Sequence, residues 1–131
     1  MTGRVTVIAF AVITSLAPIV APATVDAAGT CRQYEPLLRY MAPIAHWDVP
    51  KMSRTMWRES HCRPYVRSRT RDSGLLQVND INVRYLSARM GRKVTPALLM
   101  NPVFNVWAGA LLCRYWRNAG RSCYTPWNGG A

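Results

Sequence analysis

The sequence predicts an α+β domain that is predominantly α-helical, and three observations predict it. Apolar residues recur at helical spacing in four stretches after residue 30. Asp48, Asn79-Asp80 and Asn101-Pro102 stand where three of those stretches begin, as caps for free helix N–H groups should. One apolar segment breaks the pattern: Asp72 to Val78, bent at Gly74, has strand and turn character.

Residues 1–27 are set apart from this domain. Arg4 is followed by an apolar run from Val5 to Val20, broken by Pro18 and then Pro22. Val25 and Ala27 are small residues at the spacing a signal peptidase reads. The expectation is a signal peptide cleaved after Ala27 and one mature domain over residues 28–131. The competing reading is an uncleaved anchor, but about 16 apolar or small residues fall short of the roughly 20 that a helical span needs. After cleavage no stable membrane insertion is expected. The predicted location is secreted, in the extracytoplasmic cell envelope, and the expected form is a monomer.

A mature chain of ~100 residues is only just long enough for a sizeable core. All four cysteines fall in it, and an even count in an exported chain reads as two disulfides. Four cysteines allow three pairings. The short loop through Gly120 favours Cys113–Cys123, which leaves Cys31–Cys62 to tie the N-terminus to the chain after Glu59. Zinc is disfavoured because no C-x-x-C or H-x-x-x-H spacing occurs, so no metal and no cofactor is expected.

The formal charge is +11, and removing Arg4 and Asp26 with the leader leaves it unchanged. Such a field implies an anionic partner: nucleic acid, a membrane surface or acidic cell-wall polymers. Export favours the wall. Nucleic-acid binding has the charge but no recognition motif.

Taken in order, Tyr34 to Ala45 reads as a helix with Leu37, Leu38, Met41 and Ala45 on one face. His46 and Trp47 form a turn. Asp48 caps a second helix toward Glu59, with Pro50 in its first turn and Pro64 limiting its length. Arg63 to Arg71 is an arginine-rich loop that ordinarily reads as a solvated face. Asn79 or Asp80 caps a third helix carrying Val83, Leu86 and Met90, which stops at Gly91. Thr95-Pro96 opens a brief helical turn. Asn101-Pro102 starts the last long helix, with Phe104, Trp107, Leu111 and Tyr115 expected to face the core. The tail from Tyr124 reads as a loop.

The second helix carries the most informative residue. Val49, Met52 and Met56 make an apolar stripe, and Glu59 is the next position on that face. A carboxyl that continues such a stripe points toward the core side. Desolvation there disfavours the charged form, the condition a proton donor needs near neutral pH.

With those residues in view, the chain resembles the lysozyme-like superfamily, in its soluble lytic transglycosylase and goose-type lysozyme branch, in the short exported form of actinobacteria and their phages. The resemblance is carried by Glu59-Ser60, Pro64, Gly74-Leu75-Leu76-Gln77-Val78-Asn79, and Asn101-Pro102 with Asn105, Gly109 and Leu112. It covers nearly the whole mature domain. It implies a lysozyme-like fold whose small β-element lines the substrate cleft, and an enzyme acting on peptidoglycan glycan strands between N-acetylmuramic acid and N-acetylglucosamine. By the same resemblance Glu59 is the catalytic acid, with Ser60, Gln77 and Asn79 as substrate-side residues. Where the family often has Ala-Tyr-Asn, this chain departs with Tyr124-Thr-Pro-Trp127-Asn128, and Tyr124 is the substitute for that tyrosine.

Two mechanisms fit the resemblance. In a lytic transglycosylase one glutamate serves first as acid and then as base. In a hydrolase Asp72 would position a water on the opposite face of the sugar. The mature acids are few, namely Glu35, Asp48, Glu59, Asp72 and Asp80, which favours the single-glutamate route. A third reading is a cationic wall-binding or antimicrobial module without chemistry. The duller readings are a turn-capping Asp72, a helix-capping Asp80, Gln77 and Asn79 that satisfy backbone groups, and tryptophans that fill the core, with Trp127 in the open tail the best placed to stack on a sugar.

Overall fold

Among the described residues, 29–130 of the computed structural model, the elements run α1 (Glu35–Ala45), α2 (Val49–Ser60), β1 (Asp72–Ser73), β2 (Val78–Asn79), α3 (Val83–Met90), α4 (Pro96–Leu99) and α5 (Pro102–Asn118). Short 3-10 turns precede α1 and α3, and another, Thr125–Gly130, follows α5. The expected leader, residues 1–27, lies outside the described residues. The architecture is α+β and mostly helical, as the apolar periodicity predicts.

Local chemistry sets each boundary. Asp48 accepts from the Lys51 N–H at 2.7 Å and opens α2, while Thr95 and Asn101 do the same for α4 and α5. Helix α2 ends before Pro64 can act, because His61 and Cys62 take left-handed φ values of 52° and 61°. Neither is glycine, so the backbone is strained there. The chain is held in that shape from two sides. Cys62 is disulfide-bonded to Cys31, whose N–H donates to the buried Ser53 hydroxyl at 2.8 Å. The second disulfide joins Cys113 in α5 to Cys123.

Two expectations need correction. Asn79 caps the 3-10 turn Asp80–Asn82 rather than α3 itself, through the Ile81 N–H at 3.0 Å, and Asp80 caps nothing. In α5 the buried residues are not a Phe104–Trp107–Leu111–Tyr115 stripe. The helix is buried from Asn105 through Val106 and then from Ala108 to Cys113, whereas Tyr115 is exposed. A helix buried nearly all round has no single apolar face for periodicity to find. Its small residues, Ala108, Gly109 and Ala110, let neighbours approach closely.

The two strands are antiparallel, with Asp72 opposite Asn79 and Ser73 opposite Val78. The tight connection between them, Gly74 to Gln77, is clamped to α5 by Asn105, which is fully buried. Its Oδ1 accepts from the Leu76 N–H at 2.7 Å, and its Nδ2 donates to the carbonyls of Ser73 and Leu99, both at 2.7 Å. Gly74, at φ 77°, lies so close that a Cβ there would overlap the Leu99 carbonyl and the Asn105 amide. Gly109 leaves the space that the Leu76 side chain fills.

Asn105→Ala should strand one buried donor and two buried acceptors, lowering stability by on the order of 3 kcal/mol or more in denaturant titration. Gly74→Ala should destabilise far more than Gly91→Ala, since Gly91 shares the left-handed φ but has open space around it. Equal losses in the two alanine variants would show that the clamp is not what demands glycine at position 74.

Candidate active site

Glu59 occupies the last turn of α2, one step along the face that buries Met52 and Met56. Its side chain is 23 % exposed, so the stripe places it half in and half out of water. The sequence offered no hint of what stands beside it. The guanidinium of Arg58 donates to Glu59 Oε1 from both Nε and Nη2 at 3.4 Å, while Oε2 has no hydrogen-bond partner among the described residues. Adjacent helix residues do not ordinarily face one another. Here Arg58 is drawn round because its Nη2 also donates to the Trp127 carbonyl at 3.1 Å.

Trp127 then joins this end of α2 to the β-turn. Its indole N–H donates to the Leu76 carbonyl at 2.6 Å, and its ring lies close to Gly109. It is 3 % exposed, which leaves no open face for a sugar, and in place of the expected open loop Thr125–Gly130 is a 3-10 turn. Glu59 is thereby linked to the Gly74–Asn79 segment through one chain of bonds: Arg58, Trp127, Leu76.

Asp72 is fully engaged. One oxygen accepts from the Ser68 hydroxyl at 2.6 Å and from the Thr70 hydroxyl, and the other from the Asn79 amide at 2.8 Å. Partial burial opposes its charge, but the three hydrogen bonds and the Arg67 cation outweigh burial and hold the carboxyl below its ordinary range. Asp80 is also held low, chiefly by its hydrogen bond to Arg67, which meets it at 2.7 Å and reaches the Ser73 hydroxyl at 2.8 Å. Part of the arginine loop is therefore a brace for the β-element rather than a solvated face.

The substrate-side residues divide. Gln77 donates its amide to the Val66 and Gly74 carbonyls at 3.2 and 2.9 Å, and its Oε1 has no partner among the described residues. Asn79 has both ends occupied, donating to the Thr70 carbonyl and to Asp72 while accepting from Ile81. Ser60 is 1 % exposed, and its hydroxyl donates back to the Met56 carbonyl at 3.1 Å. Tyr124 lies elsewhere along α2. Its hydroxyl meets the Asp48 backbone and its ring lies under Lys51, at the far end of α2. Glu59 stands ~16 Å further along that helix at 1.5 Å per residue. His61, exposed, packs on the Trp57 ring at 4.6 Å.

Three contributors escaped the sequence reading: the Asn105 clamp, Arg58 and Trp127. Asn105 did carry a signal, since asparagine is unfavourable inside a helix without a special partner. Arg58 and Trp127 carried none, because their meeting depends on a contact between residues 69 positions apart. An open hollow of about 430 Å³ lined by His46, Arg114 and Arg117 lies beyond the opposite end of α2 from Glu59. Among the described residues no cluster of His, Cys, Asp and Glu could hold a metal ion, and no helix is long and apolar enough to cross a membrane.

No curated protein matches the chain. Residues 48–125 match the family described as "Transglycosylase SLT domain", which takes in α2, the β-element and α3 to α5. That is more than half of the sequence, and it contains the half-buried glutamate and the clamped turn together. The chain belongs to the transglycosylase SLT domain family of peptidoglycan-cleaving lytic transglycosylases.

Proposed function

We propose that this protein cleaves the bond between N-acetylmuramic acid and N-acetylglucosamine with Glu59 as the single acid and base, outside the cytoplasm. The carrying observation is the state of its acids. Glu35 pairs with Arg39, Asp48 caps α2, Asp72 is saturated by hydroxyl and amide donors, and Asp80 is bound to Arg67. Glu59 is half-buried with Oε2 free of any hydrogen-bond partner among the described residues, and it is the acid whose arginine partner is tied through Trp127 to the β-turn.

In this reading protonated Glu59 gives its proton to the glycosidic oxygen as the bond from muramic acid C1 breaks. The resulting carboxylate takes the proton of the muramic acid C6 hydroxyl, whose oxygen closes on C1. An anhydro ring forms and no water is consumed. The hydrolytic alternative asks Asp72 to hold a water, and its three donors leave little of the carboxylate for that role. The Gln77 Oε1, facing away from its two carbonyl partners, is the group of the β-turn best supported as a substrate contact. Two disulfides suit an oxidising compartment, and the family's wall substrate agrees with it. A surplus of arginine favours anionic wall polymers as the surrounding medium.

Glu59→Gln should lower the rate of glycan release from purified sacculi by at least ~100-fold, the usual scale for losing a general acid. Its circular dichroism should be unchanged. Mass spectrometry of wild-type products should show anhydromuramoyl ends; reducing muramic acid ends would establish hydrolysis instead. Asp72→Asn should keep activity within a few-fold at neutral pH. Because the folded Asp72 carboxyl is held below its unfolded value, it adds stability above about pH 4 that fades as the pH falls through the lower folded value. Acid titration should therefore cost the wild type more stability than Asp72→Asn, and identical acid profiles would refute that role.

A further inference from the structure

We infer that Trp127 is a positioning residue for the reaction, setting the glutamate end of α2 against the β-turn through Arg58; this rests on the reading of Glu59 as the acid. Trp127 lies two residues past the segment matched by the family. It contacts three parts of the site at once. Its carbonyl accepts from Arg58, whose guanidinium also holds Glu59 Oε1. Its indole N–H donates to Leu76, the residue whose own N–H is fixed by Asn105. Its ring stands against Gly109 of α5, where a Cβ would also crowd Leu76.

The chemistry explains why this connection matters. Arg58 is half exposed and its pair with Glu59 is long, so by itself it would wander among rotamers. The Trp127 carbonyl gives the guanidinium a second, fixed acceptor and so defines which carboxylate oxygen it meets. Oε1 is held and Oε2 is left for the ligand. The indole bond to the Leu76 carbonyl fixes that acceptor in turn, because a buried N–H and a buried C=O have no better partners. Displacement of Trp127 would move the Arg58 anchor relative to the turn wall while leaving the glutamate chemically intact. A catalytic group misplaced by a fraction of an ångström loses rate rather than affinity.

The test is a cycle of Trp127→Phe, Arg58→Ala and the double variant, assayed on soluble glycan strands beside Glu59→Gln. Trp127→Phe keeps an aromatic side chain and the backbone carbonyl while removing the indole donor together with part of the ring. Each single variant should lose on the order of tenfold in kcat with KM little changed, and the double variant should lose little more than either alone, because both act through one chain of bonds. Arg58→Lys should restore part of the rate. Arg58 lies on the surface, so its variants test the idea even if Trp127→Phe folds poorly. Losses that multiply in the double variant, or full kcat in Arg58→Ala, would overturn the inference. A dead Glu59→Gln beside full kcat in both single variants would sink this inference alone, whereas an active Glu59→Gln would sink the reading it rests on.

Discussion

A buried amide whose hydrogen-bonding groups are all committed holds this fold in register. Asn105 sits fully buried in the first turn of α5, and it binds Ser73 and Leu76 of the β-turn and Leu99 at the end of α4. Leaving any of those groups without a partner would cost about 1–3 kcal/mol, so the three segments move with α5 or not at all. The rest of the local sequence accommodates that constraint. Gly74 has no Cβ because the Leu99 carbonyl and the amide occupy the space, and Gly109 has none because Leu76 does. A two-stranded element this small would not be stable alone in water. Clamped to the most buried helix, it becomes a rigid wall.

Linked to that element through Arg58 and Trp127 is Glu59, whose Oε2 has no hydrogen-bond partner among the described residues. The remaining carboxylates each have a structural partner, and the closest of those contacts are short and charge-assisted. The pair between Arg58 and Glu59 is longer and partly exposed, the kind of contact that contributes little to stability. On the proposed function, stability and chemistry fall to different acids, and the division follows from geometry rather than from residue type.

The positive charge is divided as well. Arg117 donates to the Ala45 and His46 carbonyls at the end of α1, and Arg63 to the Ser60 carbonyl at the end of α2, both favourable positions for a cation at a helix C-terminus. Arg67 braces the strands. A share of the positive charge therefore serves the chain's own backbone and its own acids rather than standing free on the surface.

Helix existence, capping by Asp48, Thr95 and Asn101, the bend at Gly74 and the half-buried setting of Glu59 were legible in the sequence, because each depends on residues within a turn or two of one another. The short loop favoured Cys113 with Cys123 among three possible pairings, and the structure has that pair together with Cys31–Cys62. The roles of Ser60, Tyr124 and Trp127 were not legible. A hydroxyl that turns back on its own helix, a phenol carried to the Asp48 end of α2 and an indole folded into the core are set by where α5 and its tail return. The face of α5 was missed for the same reason, since a helix surrounded by partners shows no period. Sequence alone determined which groups were available for chemistry; tertiary structure decided which of them remain open to a ligand, because hydrogen-bond partners far apart in the chain meet only once the fold has closed.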